Sequence, residues 1–298
     1  MVPSTGTYSG VARLKKLSET KEKHPMRNRW FYQAEPQDDA GVRLFCLPYA
    51  GGSASAYRTW RDLAPDHVHV HPLELPGRGA RWGETPVSKL PLIADMLADA
   101  LAGHLDRPYA LFGHSMGGLI AFELTRTLRG RGLPQPVHLF VSGSAAPDLP
   151  RTRQPIHAAP DVDVLEELRF LGGTPTELLN DAGLMELLLP ALRADFSLLE
   201  TYQYHAQPPL TVPLTVFGGN ADALVASEKL HRWLRQTSAA SRLVVLPGEH
   251  FFLHSAVADV IATIADALVA VAPKDLPHAH RGVARPVGPP RSPSLPGT

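Results

Sequence analysis

The sequence predicts an α/β fold built on a mostly parallel central sheet that is flanked by helices. Six short apolar runs, each suited to a buried strand, lie at residues 42–47, 68–73, 109–112, 137–142, 214–217 and 243–246. Longer segments with helical periodicity alternate with them, for example at residues 92–105, 119–128 and 227–234. Strands that are apolar throughout are buried on both faces, so helices are expected on both sides of the sheet.

One connection, between the fourth and fifth predicted strands, is much longer than the others. It runs from about residue 147 to residue 209 and contains leucine-rich stretches with helical spacing at 165–171 and 184–199. Insertions above the carboxyl ends of strands usually shape a binding site. We therefore interpret this segment, the helical insertion, as a lid; the alternative is that its helices only pad the core.

The folded domain is expected over residues 28–272. Residues 1–27 are polar and lysine-rich, which predicts a flexible extension, and Met26 offers an alternative start. Residues 273–298 are rich in proline and have no periodic apolar face, which predicts a disordered tail.

Composition excludes several classes of function. The 298 residues include 29 basic and 29 acidic side chains, so the chain lacks the positive charge that nucleic-acid binding needs. No secretory signal or membrane-spanning run is visible, which favours a soluble cytoplasmic protein. The single cysteine, Cys46, lies in an apolar run and is expected to be a buried small hydrophobe.

The strongest chemical signal is the run from Gly113 to Gly117, which reads Gly-His-Ser-Met-Gly between a predicted strand and a predicted helix. A serine at so sharp a turn projects its hydroxyl clear of the sheet, and the small glycines permit the turn. This context predicts that Ser115 is the nucleophile of a serine hydrolase with the α/β-hydrolase fold. The alternative is a glycine-rich turn whose serine merely caps the helix.

A serine nucleophile needs a base and an acid that orients the base. Asp222 follows the fifth predicted strand and His250 follows the sixth, so both lie at the same sheet edge as Ser115. We predict His250 as general base and Asp222 as its partner. His254 is an alternative base, and Asp148, which follows the fourth strand, is an alternative acid.

The same chemistry requires an oxyanion hole made by two backbone amides. The residue after the nucleophile, Met116, supplies the first. The loop after the first strand, at residues 48–52, carries two glycines, and Ala50 within it is predicted to supply the second. The alternative for this loop is an ordinary glycine turn.

Two further patterns leave choices open. His67, His69 and His71 alternate along one strand as metal ligands can, but no acidic or cysteine ligand lies at a useful spacing, so neither a metal nor any other cofactor is expected. Arg78 and Arg81 lie in a basic loop after the second strand. They either meet a phosphate or pair with nearby carboxylates at the surface.

Over nearly the whole predicted domain the sequence resembles the type II thioesterases that accompany polyketide and nonribosomal peptide synthases. The collinear motifs are LPYAGG at 47–52, LPGRGAR at 75–81, GHSMG at 113–117, LRADFSLLETY at 192–202, GGNADALV at 218–225 and PGEHFFL at 247–253. The resemblance implies the same triad of Ser115, Asp222 and His250 and the same two oxyanion amides.

The resemblance also implies a substrate and a partner. The substrate would be an aberrant or stalled short acyl group on the phosphopantetheine arm of an acyl carrier protein, hydrolysed by a monomeric enzyme without a cofactor. Two alternatives remain: a general carboxylesterase or lipase acting on free small esters, and a non-catalytic hydrolase-like binding protein.

Overall fold

The sheet follows the prediction closely. A computed structural model of the chain describes residues 28–32, 36, 41–151, 153–174 and 176–271. One six-stranded sheet has the order β2-β1-β3-β4-β5-β6, and its neighbouring strands all run parallel. The strands are β1 (Val42–Leu47), β2 (Val68–Pro72), β3 (Tyr109–His114), β4 (His138–Ser142), β5 (Leu214–Gly219) and β6 (Ser241–Leu246).

Three strands run further than the apolar runs predicted: β6 begins two residues earlier, at Ser241, and two others extend at their carboxyl ends. β3 continues through Gly113 and His114, because these residues pair with β4 at Val141 and Ser142. β5 continues through Gly219, which pairs with β6. Both carboxyl-terminal extensions result from backbone pairing with a neighbouring strand. A single run of sequence does not reveal such pairing.

Helices cover both faces of the sheet. The α-helices of the described residues are α1 (Trp60–Leu63), α2 (Leu90–Leu101), α3 (Met116–Gly130), α4 (Asp161–Leu171), α5 (Thr176–Leu179), α6 (Ala182–Glu200), α7 (Ser227–His231), α8 (Phe252–Ser255) and α9 (Val257–Leu268). Short 3₁₀ turns occupy Ala54–Tyr57, Gly79–Arg81, Ala102–His104 and Arg232–Arg235.

The four central strands, β1, β3, β4 and β5, divide their side chains between two cores, as the two-residue period of a strand requires. In β1, Phe45 and Leu47 join a core with α2 and α3, whereas Leu44 and Cys46 join a core with α1, α8 and α9. Cys46 is fully buried, as predicted. Burial on both faces explains why the strand sequences are apolar throughout.

The helical insertion has a small core of its own. Side chains of α4, α5 and α6, including Val164, Leu179, Met185 and Phe196, pack together in one cluster. Three helices therefore occupy the interval in which the sequence predicted two leucine-rich helical stretches.

The predicted terminal segments, residues 1–27 and 273–298, lie outside the described residues. Among the helices that the structure does describe, none combines the length and the apolar character needed to cross a bilayer.

Candidate active site

The strand order places a crevice at the carboxyl ends of β1 and β3. The chain passes from β1 to β2 on one side of β1, and then returns to add β3 on the other side. Ligands of open α/β sheets bind at such a reversal of strand order. The loop of residues 48–52 follows β1 and Ser115 follows β3, so both predicted elements lie at this point.

Ser115 occupies a strained turn between β3 and α3. Its φ of 52° and ψ of −113° make it the one non-glycine residue with positive φ in the described part of the chain. A Cβ on Gly113 would lie 2.0 Å from the carbonyl oxygen of Gly117, and a Cβ on Gly117 would lie 2.2 Å from that of Leu47. The predicted strand-to-helix turn is therefore present, and both flanking positions require glycine.

The amide of Ser115 is held by the neighbouring strand. It donates a hydrogen bond of 2.7 Å to the carbonyl oxygen of Ser142, the last residue of β4. This contact fixes the turn against the sheet edge and helps to keep a conformation that is otherwise unfavourable.

The structure brings together the predicted acid and base. Nδ1 of His250 lies 2.9 Å from Oδ2 of Asp222. The other oxygen, Oδ1, accepts hydrogen bonds from the amides of Leu224 at 2.8 Å and Val225 at 3.0 Å. A carboxylate only accepts, so this pairing places a proton on Nδ1 and leaves Nε2 free to take one.

Asp222 is maintained in its charged form despite burial. Desolvation raises the pKa of this carboxyl, but the hydrogen bond and charge of His250, together with the two backbone amides, outweigh it. The net pKa of Asp222 lies below the usual value. An ionised aspartate at this position orients the imidazole and stabilises it when it becomes protonated.

Ser115 directly follows a residue that packs against this pair. The ring of His114, the preceding residue, packs against the ring of His250 with centroids 5.1 Å apart. The described residues include no hydrogen bond between the Ser115 hydroxyl and His250. In free enzymes such contacts are often long and tighten when substrate binds.

The alternative base and acid have other partners. Nε2 of His254 lies 3.2 Å from the hydroxyl of Tyr49. Asp148 accepts a hydrogen bond of 2.7 Å from Nε of Arg232 and forms an ion pair with it. The geometry therefore favours His250 and Asp222 over both alternatives.

The two predicted oxyanion amides face no competing acceptor. Met116 is the first residue of α3, so its amide has no acceptor within the helix. Within the described part of the chain, the amides of Met116 and Ala50 donate no hydrogen bond. Free donors at the crevice are what an oxyanion hole requires.

Sequence analysis did not identify Tyr49 or Ser142 as part of the site. The Tyr49 ring packs edge-on against His114 and Phe251, and Oγ of Ser142 lies 2.9 Å from Nδ1 of His114. Burial, followed by the nearby His250 and His254, holds the pKa of His114 well below its usual value. The available signal was position, because both residues lie at or just beyond the end of a central strand.

The basic loop and the three alternating histidines are the two patterns for which the sequence left alternatives. Arg78 and Arg81 pair with the carboxylates of Asp195 and Glu84, yet they are buried, so their predicted place at the surface is wrong. Among the described residues, no three or more histidine, cysteine, aspartate or glutamate side chains form a group that could hold a metal ion.

Comparisons with known proteins identify a thioesterase domain in this chain. The family model for the thioesterase domain matches residues 42–268. The chain is 43% identical over 248 residues to the gramicidin S biosynthesis protein GrsT of Aneurinibacillus migulanus, covering 83% of this chain and 97% of that protein.

Solved structures give the same result. The chain is similar to the RedJ thioesterase of the prodiginine pathway of Streptomyces coelicolor, with 42% identity, a TM-score of 0.74 and coverage of 79% of this chain and 94% of that one. It is also similar to BorB, a type II thioesterase from the borrelidin biosynthetic cluster, with 33% identity, a TM-score of 0.74 and coverage of 81% and 98%.

Proposed function

The chain belongs to the thioesterase family, and from this premise we propose that it removes acyl groups from the phosphopantetheine arm of an acyl carrier protein. As a member of that family the protein is a hydrolase that acts on thioesters. The finer proposal is a type II thioesterase that clears aberrant or stalled short acyl chains in polyketide or nonribosomal peptide biosynthesis. The similarity to RedJ, from the prodiginine pathway, and to BorB, from the borrelidin biosynthetic cluster, supports it.

The observation that carries the mechanism is the hydrogen bond of 2.9 Å between His250 and Asp222 at the sheet edge that also presents Ser115. The Ser115 hydroxyl attacks the thioester carbonyl while Nε2 of His250 takes its proton. The amides of Met116 and Ala50 stabilise the oxyanion that develops on the carbonyl oxygen.

The remaining steps return the enzyme to its starting state. The carbon–sulfur bond breaks, and the imidazolium of His250 gives its proton to the departing thiolate. His250 then takes a proton from a water molecule that attacks the acyl-enzyme. The bond between the acyl carbon and the Ser115 oxygen then breaks, the imidazolium of His250 gives its proton to that oxygen, and the carboxylic acid leaves. Asp222 stays ionised throughout, and none of these steps uses a cofactor.

The test compares acetyl- and propionyl-loaded acyl carrier protein with the matching oxygen esters. Ser115→Ala and His250→Gln are expected to lower kcat by about 10⁶-fold and Asp222→Asn by about 10⁴-fold. Asp148→Asn is the matched control, because Asp148 is bonded to Arg232, and this variant should keep a near wild-type rate. His254→Gln changes a residue that is bonded to Tyr49, and it should lower kcat far less than His250→Gln does. Preference for the loaded carrier supports the proposed substrate.

Other results would favour the alternatives. Turnover of the oxygen esters with the loaded carrier untouched would indicate a general esterase with the same triad. Failure of a fluorophosphonate to label Ser115, judged by mass spectrometry of its peptide, would indicate a non-catalytic binding protein. We expect the enzyme to act as a monomer, which sedimentation velocity would check.

A further inference from the structure

Asp195 of helix α6, in the helical insertion, forms a buried ion pair with Arg78 of the loop after β2. Nη1 and Nη2 of Arg78 each donate a hydrogen bond of 2.7 Å to one carboxylate oxygen of Asp195. The side chains of Arg78 and Asp195 are 8% and 1% exposed, so the pair is almost completely shielded from water. Such a two-point contact between planar groups fixes orientation as well as distance.

The same carboxylate also holds the loop that is proposed to supply an oxyanion amide. Oδ2 of Asp195 accepts a hydrogen bond of 2.8 Å from the amide of Gly51, the residue after Ala50. Nη1 of Arg78 donates a second bond, of 3.2 Å, to the carbonyl oxygen of Gly52. Both members of the ion pair therefore bind the backbone of the loop at residues 48–52.

A side chain of α6 packs on the same loop. Gly51 has a φ of +74°, and a Cβ at this position would lie 2.7 Å from Cδ2 of Leu192. Leu192 lies one helical turn before Asp195. Helix α6 therefore contacts the loop with an apolar group and a charged group, and glycine is required where they meet.

The Tyr49 side chain also anchors the loop, through ring contacts with His114 and Phe251, but the backbone beside Ala50 has few other restraints. The loop's own turn is closed by a single backbone hydrogen bond of 2.9 Å, from the amide of Gly52 to the carbonyl oxygen of Tyr49. A charged acceptor buried beside the Gly51 amide is a stronger restraint than this neutral bond. Burial opposes the charge of Arg78, but Asp195 outweighs it, and the pKa of the guanidinium lies above its usual value.

We propose that Asp195 and Arg78 are positioning residues that hold the Ala50 amide in the oxyanion hole, so that the hole is complete only while helix α6 is seated on the loop. The inference rests on the proposed function, because it assigns these residues a role in the same reaction. Displacement of α6 removes the acceptor of the Gly51 amide and leaves the Ala50 amide free to turn away. Seating of the helical insertion and catalytic competence are then coupled.

The test uses two substitutions of Asp195 and one matched control. Asp195→Asn keeps the shape of the side chain but turns an amide NH₂ toward donors, and Asp195→Ala removes every contact. Asp161→Asn weakens another aspartate–arginine pair of the helical insertion, the one with Arg193, in which the aspartate side chain is 67% exposed. Circular dichroism establishes that each variant is folded.

The expected result is a fall in kcat with little change in KM. Loss of one oxyanion donor costs about 10²–10³-fold in kcat, which is the expectation for Asp195→Ala; Asp195→Asn should fall between it and wild type. Asp161→Asn should match wild type. Arg78→Lys keeps the charge but loses the two-point contact, and it should also lower kcat.

A second readout separates positioning from a general effect on stability. An alkyl boronic acid bonds to the Ser115 oxygen and forms a tetrahedral adduct that places an oxygen in the oxyanion hole. Its affinity should fall by the same factor as kcat/KM in the Asp195 variants, as expected for a mimic of the transition state. Unchanged kcat, or unchanged boronate affinity in a variant with reduced kcat, would overturn the inference.

The inference and the proposed function can fail separately. If the wild type does not hydrolyse the loaded carrier, the proposed substrate is wrong, but p-nitrophenyl acetate and the boronic acid still report on the oxyanion hole. If the loaded carrier is hydrolysed and Asp195→Asn and Asp195→Ala behave as wild type, the positioning role alone is wrong.

Discussion

The strain at Ser115 predicts that an inactive glycine variant is more stable than an inactive alanine variant. The residue has a φ of 52° and a ψ of −113°, a region that costs a side-chain-bearing residue about 1–3 kcal/mol. Glycine escapes this cost, but its greater freedom in the unfolded chain offsets about 0.5–1 kcal/mol. The middles of these two ranges differ by about 1 kcal/mol, so Ser115→Gly should exceed Ser115→Ala in free energy of unfolding by about that amount.

The comparison is matched because both variants lose the hydroxyl and differ only at Cβ. Urea unfolding followed by far-ultraviolet circular dichroism gives the two free energies of unfolding. The corresponding Tm difference is about 2–4 °C for a domain of this size. Equal stabilities, or a less stable Ser115→Gly, would show that the backbone at this turn is not strained and would refute the reasoning.

Two further stability effects follow from buried polar groups. Burial, followed by nearby positive charge, lowers the pKa of His71 to about 3. The unfolded chain therefore binds a proton at this residue more strongly than the folded chain does. As a result, the free energy of unfolding falls as the pH drops below about 6.5. At pH 5 the share of this loss that comes from His71 is about 2 kcal/mol. Buried His114 and half-buried His138 also have lowered pKa values and persist in every variant, so urea unfolding should show a loss in His71→Leu that is smaller by this share than the loss in wild type and in the exposed-residue control His231→Leu. Separately, Nε1 of the fully buried Trp233 donates a hydrogen bond of 2.7 Å to the Ser144 carbonyl. Trp233→Phe leaves that oxygen unpaired and should lower the free energy of unfolding by about 1–3 kcal/mol, and a value near zero would contradict this.

The fold could be predicted from sequence because its main signal is local. All six strands appear as short apolar runs, since a parallel sheet covered on both faces buries alternate side chains in two cores. The turn at Ser115 is local as well, because Gly113 and Gly117 lie within two residues of it and each is required by a close backbone contact. Sequence order then placed Asp222 and His250 at the same sheet edge.

Features that depend on distant partners were harder to predict. The strand positions of Gly113 and His114 follow from pairing with β4, not from their own propensity. The low pKa of His71 follows mainly from burial of its ring, and neither ring nitrogen has a hydrogen-bond partner in the described residues. Its alternation with His67 and His69 instead suggested metal ligands, because spacing along a strand does not indicate what surrounds each ring.

The ion pair between Arg78 and Asp195 shows how such a contact can be approached from sequence. The two residues are 117 positions apart, so spacing carries no information about their pairing. Asp195, however, lies three residues from both Leu192 and Leu198, two buried positions of α6. An acid there is buried with its helix face, and a buried carboxylate requires a cation or several amides. The basic loop supplies a cation at the sheet edge that the helical insertion was predicted to cover. An acid among the buried positions of an inserted helix therefore favours a carboxylate partner over a phosphate for the arginine of that loop. The backbone that such an ion pair also binds, here the loop at residues 48–52, is then a candidate for positioning by the pair.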